Sequence, residues 1–134
     1  MSKTKQVIII RKDLKMRRGK EISQGAHASM GVFTKRANFQ EDPFNTSCHY
    51  MICDIDRAMR AWLEGSFAKV VVTVQTEQEL IDLEIKAKEA KIPCCLIEDN
   101  GITEFNGVKT KTALAIGPWW PEEIDKITGT LPLY

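Results

Sequence analysis

Val7–Ile10 is an apolar, β-branched run that stops abruptly at charge, and no other stretch constrains the fold as much. Gln6–Arg11 reads as a short buried strand. Five cations follow before Gly19 (Arg11, Lys12, Lys15, Arg17, Arg18), opposed only by Asp13. Gly19 then opens a helical pattern that runs to about Ala37. A strand, a basic glycine-containing turn and a helix start form a natural anion site. The first backbone N–H groups of the helix lack partners, and the helix dipole favours negative charge. Lys20, in the first turn, adds a mobile ammonium.

The helix has two faces. At about 100° per residue, Lys20, Gln24 and His27 fall within roughly 60° of one another. Ile22, Ala26, Ser29 and Phe33 gather opposite. The apolar side is expected to pack. The polar stripe looks outward, either as a solvated face or into a cleft.

The 134 residues suit one domain, and 43% hydrophobic content is that of an ordinary folded core. The net charge is only +1, but residues 1–20 hold eight Lys/Arg and one Asp while the remainder is net acidic. A polarised molecule with one basic end suits an anionic ligand; a solubilising N-terminal segment would carry the same charge. The opening MSKTKQ and the short VIII run do not make a leader, and no stretch approaches transmembrane length. A cytoplasmic protein without membrane partners is expected. Cys48, Cys53, Cys94 and Cys95 then read as free thiols. Cys94 and Cys95 are adjacent in a strand, so they point to opposite sheet faces. No CxxC pair anchors a metal at Cys48, His49 and Cys53; no metal and no cofactor are expected.

Along the chain, Asn38–Tyr50 reads as a loop, rich in turn formers and broken by Pro43. Cys53–Leu63 reads as a second helix, with Ile55, Met59 and Leu63 at four-residue spacing, ended by Gly65. Ala68–Val74 is the clearest strand. Thr76 and Glu79 form a capping box for a helix to about Ala90. Pro93 turns into a strand at Cys94–Ile97. After the polar Glu98–Gly101 segment, Thr103–Phe105 reads as a brief extended piece and Asn106-Gly107 as a turn. Thr110–Ile116 is a fourth strand, ended by Gly117-Pro118. Pro121 suits the first turn of a last helix, Glu122–Thr128. Leu131–Tyr134 is an apolar tail expected to dock on the body. The order implies an α/β single domain, a four-stranded mixed sheet with helices on both faces. Asp99 directly follows a strand. If that strand is parallel to the first, Asp99 and the basic turn open on one edge, where α/β sheets bind ligands; Asp-Asn-Gly is equally good turn chemistry.

Taken together these residues resemble the peptidyl-tRNA hydrolase 2 family, the archaeal and eukaryotic type. The family signature D-L-x-M-x-x-G-K-x-x-x-Q-x-x-H-A appears as Asp13-Leu14-Lys15-Met16-Arg17-Arg18-Gly19-Lys20, then Gln24 and His27-Ala28. Its D-x-G-x-T segment appears as Asp99–Thr103, and T-x-T-x-x-x-I-G-P as Thr110–Pro118. The family ending, I-D-K-I-T-G-x-L-x-L, appears as Ile124–Leu133. The resemblance covers essentially the whole chain. Four departures stand out: Glu104 where a Gln is usual, Asn106–Lys109 in place of a Pro-Gly turn, an insertion at about 36–51, and Trp119-Trp120 in place of small or polar residues.

The resemblance implies hydrolysis of the ester between a peptide and the terminal ribose of tRNA. It maps the polar set of the site to Lys20, Gln24, His27, Asp99, Thr103 and Thr112. Asp99 would orient or deprotonate a water, and Lys20 would steady negative charge. Thr103 and Thr112 would donate to the carbonyl or hold the water. Gln24 and His27 would orient the other two or touch the terminal adenosine. Lys12, Lys15, Arg17 and Arg18 would contact tRNA phosphates. Trp120, with Trp119, would stack on bases of the CCA end, or else cap the last helix. No nucleophile–His constellation is visible, so no covalent intermediate is expected. A module that binds tRNA or protein without turnover is the alternative; Glu104 and the insertion favour it, while Lys20, Asp99, Thr103 and Thr112 together favour the enzyme. Apolar surface on the tail or insertion would support a homodimer.

Overall fold

The computed structural model describes residues 3–102 and 104–134. Its central sheet holds β1 (Lys5–Arg11), β4 (Ala68–Val74), β5 (Cys94–Asp99) and β6 (Thr110–Trp119), in the order β4-β1-β6-β5. β4 is parallel to β1, whereas β6 is antiparallel to both β1 and β5. The sheet is therefore mixed, and β1 and β5 point the same way. Four helices complete the main body: α1 (Arg18–Thr34), α2 (Arg57–Glu64), α3 (Glu77–Glu89) and α4 (Pro121–Thr128). None of the described helices is long and apolar enough to cross a membrane.

Strand alternation divides the core in two. Val7, Ile9, Leu114 and Ile116 face α3 and α4 and pack with Leu80, Leu83 and Ile124. Ile8, Ile10, Ala113 and Ala115 face the other way and pack with Ala28, Val32 and Met59. Cys94 belongs to the first cluster and Cys95 to the second, so the adjacent thiols do lie on opposite faces. Burial pushes both thiols above their usual pKa. On the second face β6 presents the small Ala113 and Ala115, and α1 lies close. A Cβ at Gly31 would stand 2.6 Å from Cys95 Sγ.

The sequence expectations fail at four places. Residues 38–50 are not a loop but most of a hairpin, β2 (Ala37–Asp42) with β3 (Asn45–Cys53). The turn formers concentrate at its tip, where Asp42 Oδ1 accepts from the Phe44 N–H at 2.8 Å and Asn45 Oδ1 from that of Ser47 at 3.1 Å. The aromatic and β-branched residues around them make the strands. Helix α2 consequently starts late. Cys53 ends β3, and Asp56 caps α2 by accepting from the Met59 N–H at 2.8 Å. Gly117-Pro118 does not end β6, which continues to Trp119 opposite Lys5. Glu104 and Phe105 lie in turns rather than in an extended piece.

Other local readings hold. Thr76 Oγ1 accepts from the Glu79 N–H at 3.1 Å, and Glu79 reaches back to the Gln75 N–H at 2.8 Å. The C-terminal tail docks along β4: Leu133 bridges Val72, and the Tyr134 N–H donates to Val71 O at 3.0 Å. It covers the open side of an edge strand.

Helix α1 corrects the expectation about its faces. The contact with the sheet is made by Gly25, Ala28 and Val32, between the two stripes. Gln24, in the polar stripe, is 2% exposed, whereas Ile22, in the apolar stripe, is 66% exposed. Ser29 turns inward and donates to the buried Gln6 Oε1 at 2.5 Å. Lys20 and Gln24 of the polar stripe turn inward because their partners are polar groups of β5 and β6, while His27 stays exposed.

Candidate active site

β1 and β5 deliver their C-terminal ends to one edge of the sheet, and β6 starts there. The short 3-10 turn Lys12–Leu14 leads from β1 towards α1. Lys20, in the first turn of α1, then meets Asp99, the last residue of β5. Lys20 Nζ donates to Asp99 Oδ1 at 2.9 Å, and both side chains are 13% exposed. The other oxygen, Oδ2, accepts from the Gly101 N–H at 2.9 Å. Gly101 sits at φ +82°, and a Cβ there would lie 2.2 Å from Val108 O, so only glycine fits this turn.

The Lys20 hydrogen bond holds the Asp99 carboxyl below its usual pKa, helped by the Gly101 N–H and the charge of His27, against burial. Asp99 is therefore an ionised acceptor. The Lys20 ammonium also stands 5.9 Å above the Phe105 ring.

A second polar layer lies beneath. Thr112 Oγ1 donates to Gln24 Oε1 at 2.5 Å, and Thr112 is fully buried. Strict alternation from Leu114 would aim Thr112 at the α3 face. The β5–β6 register shifts here, with Ile97 opposite Ala113 but Glu98 opposite Lys111. This bulge turns Thr112 to α1.

The match to the family model described as Peptidyl-tRNA hydrolase PTH2 spans residues 4–134. The chain belongs to the peptidyl-tRNA hydrolase 2 family. It is 42% identical over 131 residues to a peptidyl-tRNA hydrolase of Methanocaldococcus jannaschii, covering 96% of this chain and 98% of that one. A peptidyl-tRNA hydrolase of Methanopyrus kandleri is 40% identical over 129 residues, with 96% and 97% covered. A solved structure of a protein of unknown function from Agrobacterium shares the fold alone, with TM-score 0.56 and 14% identity over 100% of this chain and 99% of that one.

Within this peptidyl-tRNA hydrolase 2 chain, the sheet edge brings together Lys20, Asp99, Gln24 and Thr112. His27 is exposed and acts on Asp99 through its field. Thr103 lies outside the described residues. The basic residues divide. Lys15 is exposed at φ 52°, and Lys12 Nζ stands 5.7 Å from the Tyr134 ring. Arg17 pairs with Glu104 at 2.7 Å, so the unusual acid of this chain is held by a cation instead of standing alone in the cleft. Arg18 faces the far flank of α1.

Trp120 is not brought to this edge. It caps the start of α4, next to Trp119, whose position opposite Lys5 marks the other end of the sheet. The ten residues of β6 put Trp119 roughly 30 Å from the Asp99 end. Trp119 packs against the α3-side core and donates from Nε1 to Glu123 at 2.6 Å. The helix-cap reading of the pair fits these contacts.

Sequence reasoning passed over Phe105 and read Gly101 only as part of the Asp-Asn-Gly turn. The positive φ needed after an Asx turn was the available signal for Gly101. No local pattern pointed Phe105 at Lys20.

Proposed function

We infer that this chain hydrolyses the ester joining a peptide, or an N-blocked aminoacyl group, to the terminal ribose of tRNA, releasing peptide and tRNA. The Lys20–Asp99 contact at 2.9 Å carries the reading, because it stands where the basic turn opens on the sheet edge. Hydrolysis needs a positioned water, a stabiliser for the oxyanion and a hold on polyanionic RNA.

Asp99 is ionised and, with a lowered pKa, is a weak base. Its role is to orient the attacking water and to fix the Lys20 ammonium. Lys20 stabilises the oxyanion that develops as the water adds to the ester carbonyl. Thr112 is buried and acts through Gln24, holding that amide in place against α1. Thr103, by the family resemblance, donates to the carbonyl or holds the water. His27 lies at the mouth, where the terminal adenosine would arrive. Lys12 and Lys15, with Arg17 beside Glu104, form the phosphate contacts around the entry, and Arg18, on the far flank of α1, stands away from it. Free thiols at all four cysteines support a cytoplasmic setting. Exposed apolar surface at residues 37–53 supports assembly as a homodimer.

The test is release of the blocked amino acid from N-blocked aminoacyl-tRNA by the wild type and by Asp99→Ala. Release by the wild type alone is expected. Release by neither, with tRNA binding retained, would leave a binding module.

A further inference from the structure

Arg17 stands immediately before α1, on the turn that opens towards Lys20 and Asp99, and its partner lies 87 positions away. Arg17 Nε donates to Glu104 Oε1 at 2.7 Å. The pair is asymmetric: the Arg17 side chain is 80% exposed and that of Glu104 only 13%. The cation faces solvent, and the acid sits in the wall beside it. Its own loop fixes Glu104 there. Phe105, next in the chain, packs against the core beneath α1. The Phe105 N–H donates to Gly101 O at 3.2 Å, and the Gly107 N–H donates to the same carbonyl at 2.9 Å. Glu104 therefore stays at the entry when a ligand draws Arg17 away.

The other acids around the turn have other partners. Asp13 accepts from Arg11, Glu21 from the Tyr134 hydroxyl, and Asp99 from Lys20. Of Lys12, Lys15, Arg17 and Arg18, Arg17 alone is in an ion pair among the described residues. A phosphate contact gains affinity by releasing counterions from the RNA, and a cation already opposed by a carboxylate gains less. When a phosphate takes the exposed side of Arg17, the fixed carboxylate of Glu104 is left beside a second anion in a poorly hydrated wall. The contact is weakened without being lost. Substrate and product tRNA carry the same phosphates, so each contact binds both alike. It holds the product back as firmly as the substrate and adds nothing to the chemical step.

We propose that Glu104 withholds Arg17 from the tRNA backbone and thereby quickens the departure of product tRNA. This rests on the hydrolase reading above and adds the release step to it. Glu104 takes no part in ester cleavage; it sets the balance between hold and release at the entry.

The experiment measures the dissociation rate and affinity of deacylated tRNA over a range of salt. Four full chains are compared: wild type, Glu104→Gln, Arg17→Ala and the double variant. Gln keeps an acceptor oxygen facing Arg17 and removes only the charge. Glu104→Gln should release tRNA roughly two- to fivefold more slowly than wild type, the range for a part-exposed ion pair. Its log affinity should also fall more steeply with log salt, by up to about 0.7–0.9. Arg17→Ala should then speed release more in the Glu104→Gln background than in wild type, because Arg17 contacts phosphate fully only there. Equal dissociation from wild type and Glu104→Gln would overturn the proposal. So would an Arg17→Ala effect of the same size in both backgrounds, which would make Glu104 a general repulsive charge instead of a partner that withholds Arg17. Hydrolysis of N-blocked aminoacyl-tRNA by the wild type is read separately: its absence would overturn the hydrolase reading, while the four dissociation rates decide the competition for Arg17 either way.

Discussion

Helix α1 separates two regions of opposite character. On one flank Lys20 and Gln24 meet Asp99 and Thr112 in a nearly closed polar cluster. On the other, Ile22, Ala26 and Met30 border an open apolar groove. The hydropathy of the helix is thus inverted relative to solvent. Polar side chains are buried where the sheet supplies matching donors and acceptors, because a satisfied polar group tolerates burial. Apolar side chains stay exposed where nothing of the same chain covers them. The first flank holds the candidate site; the second is open apolar surface.

The largest effect that would break this division is loss of the carboxylate. Asp99→Ala should lower hydrolysis by roughly 10²–10⁴-fold, the usual range for a group that positions or moves a proton. Lys20→Ala should follow it, with tRNA affinity changed far less than turnover. Single-turnover release of the blocked amino acid separates the two quantities.

Beneath the pair, Thr112→Val removes the donor that satisfies Gln24 in the interior. A cost of about 1–3 kcal/mol in unfolding free energy is expected, read as a lower urea midpoint at unchanged slope. The same substitution of an exposed threonine should be nearly silent.

The pH dependence sharpens the comparison further. The folded protein favours ionised Asp99, so this group adds stability above the ordinary carboxylate pKa of about 3.9. The contribution is lost as pH falls through the lower folded value. Wild type and Asp99→Asn should therefore converge in urea midpoint below about pH 4 and diverge above it. Turnover should show no acid limb from Asp99 near neutrality.

Smaller effects belong to the rim. Lys12→Ala or Lys15→Ala should weaken tRNA binding at low salt and reduce the dependence of log affinity on log salt by roughly 0.7–0.9 each. Arg17→Ala should do less, since Arg17 already spends its charge on Glu104. Least of all, Met30→Glu on the apolar flank should leave hydrolysis within about twofold of wild type, well under 1 kcal/mol in the barrier.

Much of this was legible in the residues. The strand at Val7–Ile10, the capping box at Thr76, the helix at Pro121 and the tail each follow from local chemistry, and each stands where that chemistry puts it. The polar set Lys20, Gln24, Asp99 and Thr112 was also visible, as a stripe, a strand end and a motif. The hairpin was hidden because its turn formers crowd the tip and its strands pair with nothing else. The start of α2 went astray with it, since Ile55 imitates a helical position one turn too early.

By itself the sequence determined the order of the four central strands and the four helices, the basic turn and the residue types of the site. Those depend on neighbours a few positions apart: periodicity, caps and the punctuation of Gly and Pro. Only the tertiary structure decided which stripe of α1 is buried, that a bulge turns Thr112 towards Gln24, and that Trp120 stands at the far end of the sheet. These depend on strand order and register, which arise from contacts between residues far apart in the chain, as Gln24 and Thr112 are at 88 positions. No local pattern encodes which distant partner will meet a side chain, and burial follows the partner.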